Sequence, residues 1–262
     1  MTESTLFTVA FVLYVGALLV YSAALFAARE KWLKVGLILA AAGFLFHTAA
    51  LIARTVTSGH APFTNMYESL SFLSWAIVLA LIIFGRSSRV PRLGAILMLI
   101  VVGLVALASS PLMPKGATPL VPALQSYWLW LHVSVTLLGE AFFCIAFVSS
   151  LLYLAADSVE KKERLDALSY RAVGVGFPLF TLGGLIFGMV WAYRAWGRYW
   201  SWDPKEVWSL ITWFVFALYL HTRIVMGWKG KRSAIIAIVG FLAALFTYFG
   251  VNYLLAGLHS YA

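Results

Sequence analysis

Long apolar runs recur along the whole chain, and the charged residues gather in the short stretches between them. Eight runs stand out, at about 6–28, 35–53, 67–84, 93–109, 127–156, 173–193, 204–226 and 234–256. Each has at least the roughly 17 residues a helix needs to cross a bilayer core of about 30 Å. A helix satisfies its own backbone polar groups, so uninterrupted apolar runs fit spanning helices, not the short alternating segments of a porin-like barrel. The pattern therefore predicts an all-α integral membrane protein, a polytopic bundle of about eight transmembrane helices. The first run, Leu6 to Ala28, has no basic region before it and no small-residue cleavage site, so it reads as a retained span.

The polar stretches give an orientation. The turns after the first, third, fifth and seventh runs carry 14 of the 19 lysines and arginines. The opposite side holds only Arg54, Lys115, Arg194, Arg198 and Lys205. The positive-inside rule then makes the richer side cytoplasmic and leaves both termini extracytoplasmic. Composition agrees with a membrane setting: 63% of residues are hydrophobic and 11% charged, against about a quarter charged in soluble domains. The net charge of +9 reports orientation and not nucleic-acid binding, because its sources are short turns. Cys144, the single cysteine, lies inside a span, which excludes an internal disulfide and a CxxC redox pair. Four of the eight prolines fall between Ser109 and Ser126, so that loop should be extended. The mixed charges of Asp157 to Arg171 look like a solvated extension of the fifth span. No repeat or soluble domain interrupts the pattern, so residues 1–262 read as a single integral membrane domain.

The stretch Trp196-Gly-Arg-Tyr-Trp-Ser-Trp-Asp203, in an outer loop at about 194–206, departs from everything around it. Six of the eleven tryptophans lie in or beside it. Pro204 suits a first helical position, Asp203 before it is a favoured cap, and Glu206 completes a capping-box pattern. One reading makes Asp203 a cap and the rings an interfacial aromatic belt. The other makes Trp196, Tyr199, Trp200 and Trp202, with Arg198 and Lys205, a platform for a planar anionic ligand at a helix N-terminus. Lys205 favours the second, since a cation in a first turn opposes the helix dipole and calls for a compensating anion. If the residues before the cap are helical, Trp196, Tyr199, Trp200 and Asp203 share a face.

Four histidines match that platform in depth or lie within spans. His132 opens the fifth span just after Trp128 and Trp130, and His259 follows the eighth on the same side. Two neutral imidazoles on opposite faces of a flat ring are what haem iron requires. His47 and His221 lie inside apolar runs, where polar groups are costly and are functional candidates by default. Their depths differ by roughly 8 to 12 Å in ideal helices, so joint ligation there needs tilt or a broken helix. His60 lies in an outer loop, and Glu68 and Glu140 at or inside spans are expected to have structural hydrogen-bonding roles.

The motif from Trp196 to Asp203, continued by Pro204, Lys205 and Glu206, resembles the tryptophan-rich signature of the haem-handling membrane proteins of cytochrome c biogenesis. The Asp-Pro-Lys-Glu continuation, and Gly59-His60-Ala61-Pro62 with Asn65, Tyr67, Glu68 and Ser69, resemble its CcsA (ResC) branch. The resemblance implies haem b as cofactor, with His132 and His259 as outer iron ligands and His47 and His221 as a transmembrane pair. It implies haem transport to the platform formed by Trp196, Arg198, Tyr199, Trp200, Trp202, Asp203 and Lys205, and attachment to the Cys-x-x-Cys-His motif of apocytochrome c. It further implies a CcsB (ResB) type partner, a location in the bacterial inner (plasma) membrane, and a synthase subunit not sufficient alone. No side chain reads as a nucleophile or acid/base catalyst. The alternatives are a bis-histidine electron-transfer subunit like a cytochrome b, or a haem-delivery chaperone like the CcmC branch.

Overall fold

The computed structural model describes residues 2–27, 30–88, 90–113, 115–116, 120, 122–255 and 257. Among these, eight helices are long and apolar enough to cross a membrane, and there is no strand. They are α1 (Glu3–Ala27), α2 (Glu30–Ser58), α3 (Met66–Ser88), α4 (Pro91–Ser109), α5 (Tyr127–Ala155), α6 (Val159–Trp196), α7 (Pro204–Ile224) and α8 (Lys231–Leu254). Large apolar side chains such as Leu19, Ile38, Leu45, Leu99, Phe214 and Leu218 stand exposed on their flanks. Lipid satisfies such surfaces and water does not, so the chain is a multi-pass membrane protein.

Small polar residues set where helices begin, by accepting first-turn N–H groups that have no partner inside the helix. Thr2 Oγ1 accepts from Thr5 N at 3.3 Å, Asn65 Oδ1 from Glu68 N at 2.9 Å, and Ser126 Oγ from Trp128 N at 3.3 Å. Ser158 Oγ accepts from Lys161 N at 3.4 Å and so opens α6. That cap corrects one expectation. The charged segment from Asp157 to Arg171 does not extend the fifth span; Ala156 is extended, and a new helix runs from Val159 to Trp196. In the proline-rich loop, Pro122–Leu124 forms one 3₁₀ turn, while Pro114 and Pro119 lie outside the described residues.

The contacts divide into two compact units, Met1–Thr118 and Pro119–Ala262. In the first, α1 packs along α2 and against α4, and α3 packs on α4 and α2. In the second, α5 packs on α6 and α8, and α7 packs on α8. The ring of Phe143 lies flat on Phe216, 3.6 Å between centroids, at the centre of this second unit. Two helices contain π-helical turns, Thr181–Phe187 in α6 and Phe246–Gly250 in α8. Such turns redirect backbone carbonyls, and the first of them shapes the site.

Candidate functional site

The tryptophan-rich segment connects α6 to α7, and its shape follows from how each helix ends. Gly197, at φ 73°, closes α6 in the left-handed conformation that glycine adopts without strain. Residues 197–203 are therefore not helical, and the shared helical face expected for Trp196, Tyr199, Trp200 and Asp203 does not form. On the other flank, the capping box is formed as the sequence predicts. Asp203 Oδ2 accepts from Lys205 N at 3.1 Å, and Glu206 Oε2 accepts from Asp203 N at 3.2 Å. The Glu206 carboxylate also takes Ser201 N at 2.7 Å and Ser201 Oγ at 3.1 Å, tying the loop down onto the helix start. Between these anchors Trp202 holds a positive φ of 61° and stands 71% exposed.

The rings meet in pairs. Tyr193 stacks on Tyr199 at 4.5 Å and 12°, both exposed. Trp200 and Trp202 meet edge to face at 5.8 Å. Trp196 meets Trp191 at 4.8 Å, and Trp191 lies parallel to the His132 imidazole at 5.7 Å and 7°. These last two contacts run from Trp196, at the end of α6, to His132. The Trp200 indole N–H is buried and has no hydrogen-bond partner. Arg198 is exposed within the same loop.

His132 Nδ1 lies 2.8 Å from the carbonyl oxygen of Gly183, in the π-helical turn of α6. A carbonyl can only accept, so Nδ1 carries the ring proton and the lone pair is on Nε2. Metal-binding histidines commonly have this arrangement, in which a backbone carbonyl fixes tautomer and ring orientation. It depends on a close approach: a Cβ on Gly183 would overlap the backbone of Val135 and Thr136, and one on Gly188 would lie 3.0 Å from the His132 ring. A tautomer-fixed imidazole, exposed rings and an unpartnered indole N–H together suit a flat iron porphyrin with acidic edges. Among the described residues, no cluster of three or more His, Cys, Asp or Glu could hold a free metal ion.

Comparison with known proteins decides the family. The model of the family described as cytochrome C assembly protein matches residues 63–259. The chain belongs to the cytochrome c assembly protein family. Proteins named cytochrome c biogenesis protein CcsA are similar over most of its length, which places it in the CcsA branch. The one from Chlamydomonas reinhardtii is 45% identical over 80% of this chain and 64% of its own length. Those from Guillardia theta and Synechococcus sp. (strain CC9605) are 42% and 41% identical, over 82% and 87% of this chain and 81% and 86% of their own. Against the first of these, then, the chain spans less than two thirds of its relative. A solved structure named cytochrome c heme lyase CcmF shares the fold at TM-score 0.73 and 17% identity, over 95% of this chain and 47% of that one.

The other expected ligands in this CcsA-branch chain lie in varied settings. His259 is outside the described residues. Gly257, two positions before it, packs against the platform's cap, where a Cβ would stand 2.6 Å from Asp203 Oδ1. His221 is exposed in the last turn of α7. His47 is fully buried in the middle of α2, its two ring nitrogens bonded to Tyr14 Oη at 3.2 Å and Ser71 Oγ at 2.8 Å.

Two features escape the sequence pattern. Lys205 finds a partner within the chain, its Nζ donating to Asn252 Oδ1 at 2.8 Å. An external ligand is not required to explain that lysine. His60 is buried, its Nδ1 donating to Ala61 O at 3.0 Å and its Nε2 unpartnered. Glu68 is structural as expected: it accepts from Arg54 Nε at 2.9 Å and from Thr64 Oγ1 at 2.8 Å.

Proposed function

We propose that this chain carries haem b to the extracytoplasmic face of the bacterial inner membrane and presents it there for covalent attachment to apocytochrome c. On this reading His132 and His259 bind the iron from opposite sides at the outer site. Trp196, Tyr199, Trp200 and Trp202 cover the porphyrin, while Arg198 and the Trp200 N–H meet its carboxylates. Asp203 and Lys205 act on it indirectly, by holding the loop to the start of α7. His47 and His221 serve as inner ligands along the path, and both units, residues 1–262, work as one haem-handling domain. A CcsB (ResB) type subunit completes the synthase, and the chain is not sufficient alone.

The observation that carries this reading is the His132 arrangement, a proton fixed on Nδ1 by Gly183 O and a ring lying parallel to Trp191, next to the exposed aromatic loop. Free haem is a dianion that crosses hydrocarbon only at high cost. A path of imidazoles and rings offsets that cost, and the residues contribute to attachment by positioning. The apocytochrome histidine then replaces an outer ligand, and the product leaves.

The test is the absorption spectrum of haem retained by the purified protein. His132→Ala and His259→Ala are each expected to lose most of the outer-site Soret band, with attachment to apocytochrome falling in parallel. An unchanged band in the double variant rejects the outer-site assignment. Haem held at full occupancy throughout cytochrome c production would instead favour a fixed electron-transfer subunit.

A further inference from the structure

We infer that Asn252 is a positioning residue for the outer site: the π-helical turn of α8 brings it round to Lys205, and the pair holds the chain leading to His259 against the start of α7. This rests on the reading that His259 is an outer haem ligand, and it names the residues that support that ligand.

The contacts between α7 and α8 show what the π turn does. Thr212 Oγ1 lies 3.3 Å from Thr247 Oγ1, with both residues buried, and one turn earlier in α7 the Trp208 ring meets Phe246 at 4.2 Å. A further turn back stands Lys205, whose Nζ donates to Asn252 Oδ1 at 2.8 Å. In a regular α-helix, residues five apart point about 140° away from each other round the axis. Asn252 would then face away from α7 whenever Thr247 faced it. The wider turn over Phe246–Gly250, in which Val251 N bonds to Phe246 O, takes up the extra residue and lets both side chains meet α7. Single π turns of this kind are frequent at functional sites.

The buried Asn252 amide is satisfied at both ends and in one orientation only. An ammonium can only donate, so the amide oxygen faces Lys205; a carbonyl can only accept, so Nδ2 faces Tyr248 O, at 2.6 Å inside the π turn. The π turn of α6 lends a carbonyl to His132 in the same way. Gly257 makes a second tie, close enough to the start of α7 that a Cβ would stand 2.6 Å from Asp203 Oδ1 and 3.2 Å from Pro204 Cδ. Asn252 and Gly257 are thus both held by the residues that close the tryptophan-rich loop, and the two residues from Gly257 to His259 cover at most about 7 Å of chain. The platform itself is open: Tyr193, Tyr199 and Trp202 are exposed, so a flat group reaches it with no cavity to be opened.

The experiment records the haem spectrum, haem affinity and response to free imidazole of the purified full-length protein with its partner subunit, and the melting of the haem-stripped form. Asn252→Leu is expected to weaken haem retention about tenfold, as loss of a group supporting a metal ligand does, and to shift the Soret band to that of His259→Ala. Free imidazole should return the band in both variants, because it fills the coordination position left by a displaced histidine. Asn252→Asp keeps an oxygen for Lys205 and should recover most of the binding. Lys205→Met removes the link from its other side and should give the same imidazole-reversible shift, which decides the question should Asn252→Leu fail to fold. A parent-like spectrum with a lowered melting temperature, or a loss that imidazole does not reverse, shows a structural tie only and overturns the positioning role. An unchanged band in His259→Ala overturns the ligand assignment beneath it, so the two failures are distinguishable.

Discussion

Asp203 and Glu206 divide the work at the start of α7 in a way that substitution can separate. Asp203 accepts backbone N–H groups of the first turn, from Lys205 and Glu206, whereas Glu206 accepts from the backbone and hydroxyl of Ser201 and from Asp203 N. Asparagine keeps a capping oxygen, so Asp203→Asn is expected to melt close to the parent and Asp203→Ala to lose about 1 kcal/mol. Equal damage from both would show that the charge of Asp203 acts directly. Glu206→Ala removes the tie on the loop as well as the cap, and should cost about 1–3 kcal/mol together with haem retention. Thermal unfolding in detergent with a parallel haem spectrum reads both quantities. The cap was legible in the sequence because it is a contact across three positions. The partner of Lys205 was not, since Asn252 lies 47 residues away and no local pattern marks it.

At the scale of elements, the π-helical turn of α6 and the buried ion pair of the first unit carry the main consequences. Gly183→Ala places a methyl inside the backbone of α5. Overpacking of that kind costs about 1–3 kcal/mol, and here it also pushes away the carbonyl that fixes His132. The expected outcome is a protein that still folds but whose outer-site Soret band is reduced or shifted, as in His132→Ala; a normal spectrum would show that Gly183 serves packing alone. Arg54→Met leaves Glu68, 1% exposed, with its charge supported only by Thr64 and the helix start. Breaking a buried pair from one side costs about 3–5 kcal/mol, and Glu68→Gln in the same chain should recover part of it. Helix number and order were readable from the apolar runs, because membrane spans report themselves through composition. The break after Ala156 and the π turn were not: the first depends on one serine cap, and the second leaves the apolar periodicity almost unchanged.

For the whole molecule, orientation is the property on which the proposed haem path depends, and the chain is well suited to measuring it. Cys144 is its single cysteine and is buried in α5, so a thiol reagent reads an introduced cysteine with little background. Gln125, just before α5, and Glu163, in the first turns of α6, are both exposed and lie near opposite ends of the α5–α6 pair. With 14 of 19 basic residues near one set of helix ends, the positive-inside rule predicts Glu163 in the cytoplasm and Gln125 outside, on the side of the tryptophan-rich loop. In sealed membranes that keep the orientation of the cell, a membrane-impermeant maleimide should label Gln125→Cys at once and Glu163→Cys only after lysis. The reverse pattern would put the aromatic loop in the cytoplasm, where an exposed platform beside His132 could collect haem but could not hand it to an apocytochrome outside. The same two positions therefore test whether His132 belongs to the end of the path or to its beginning.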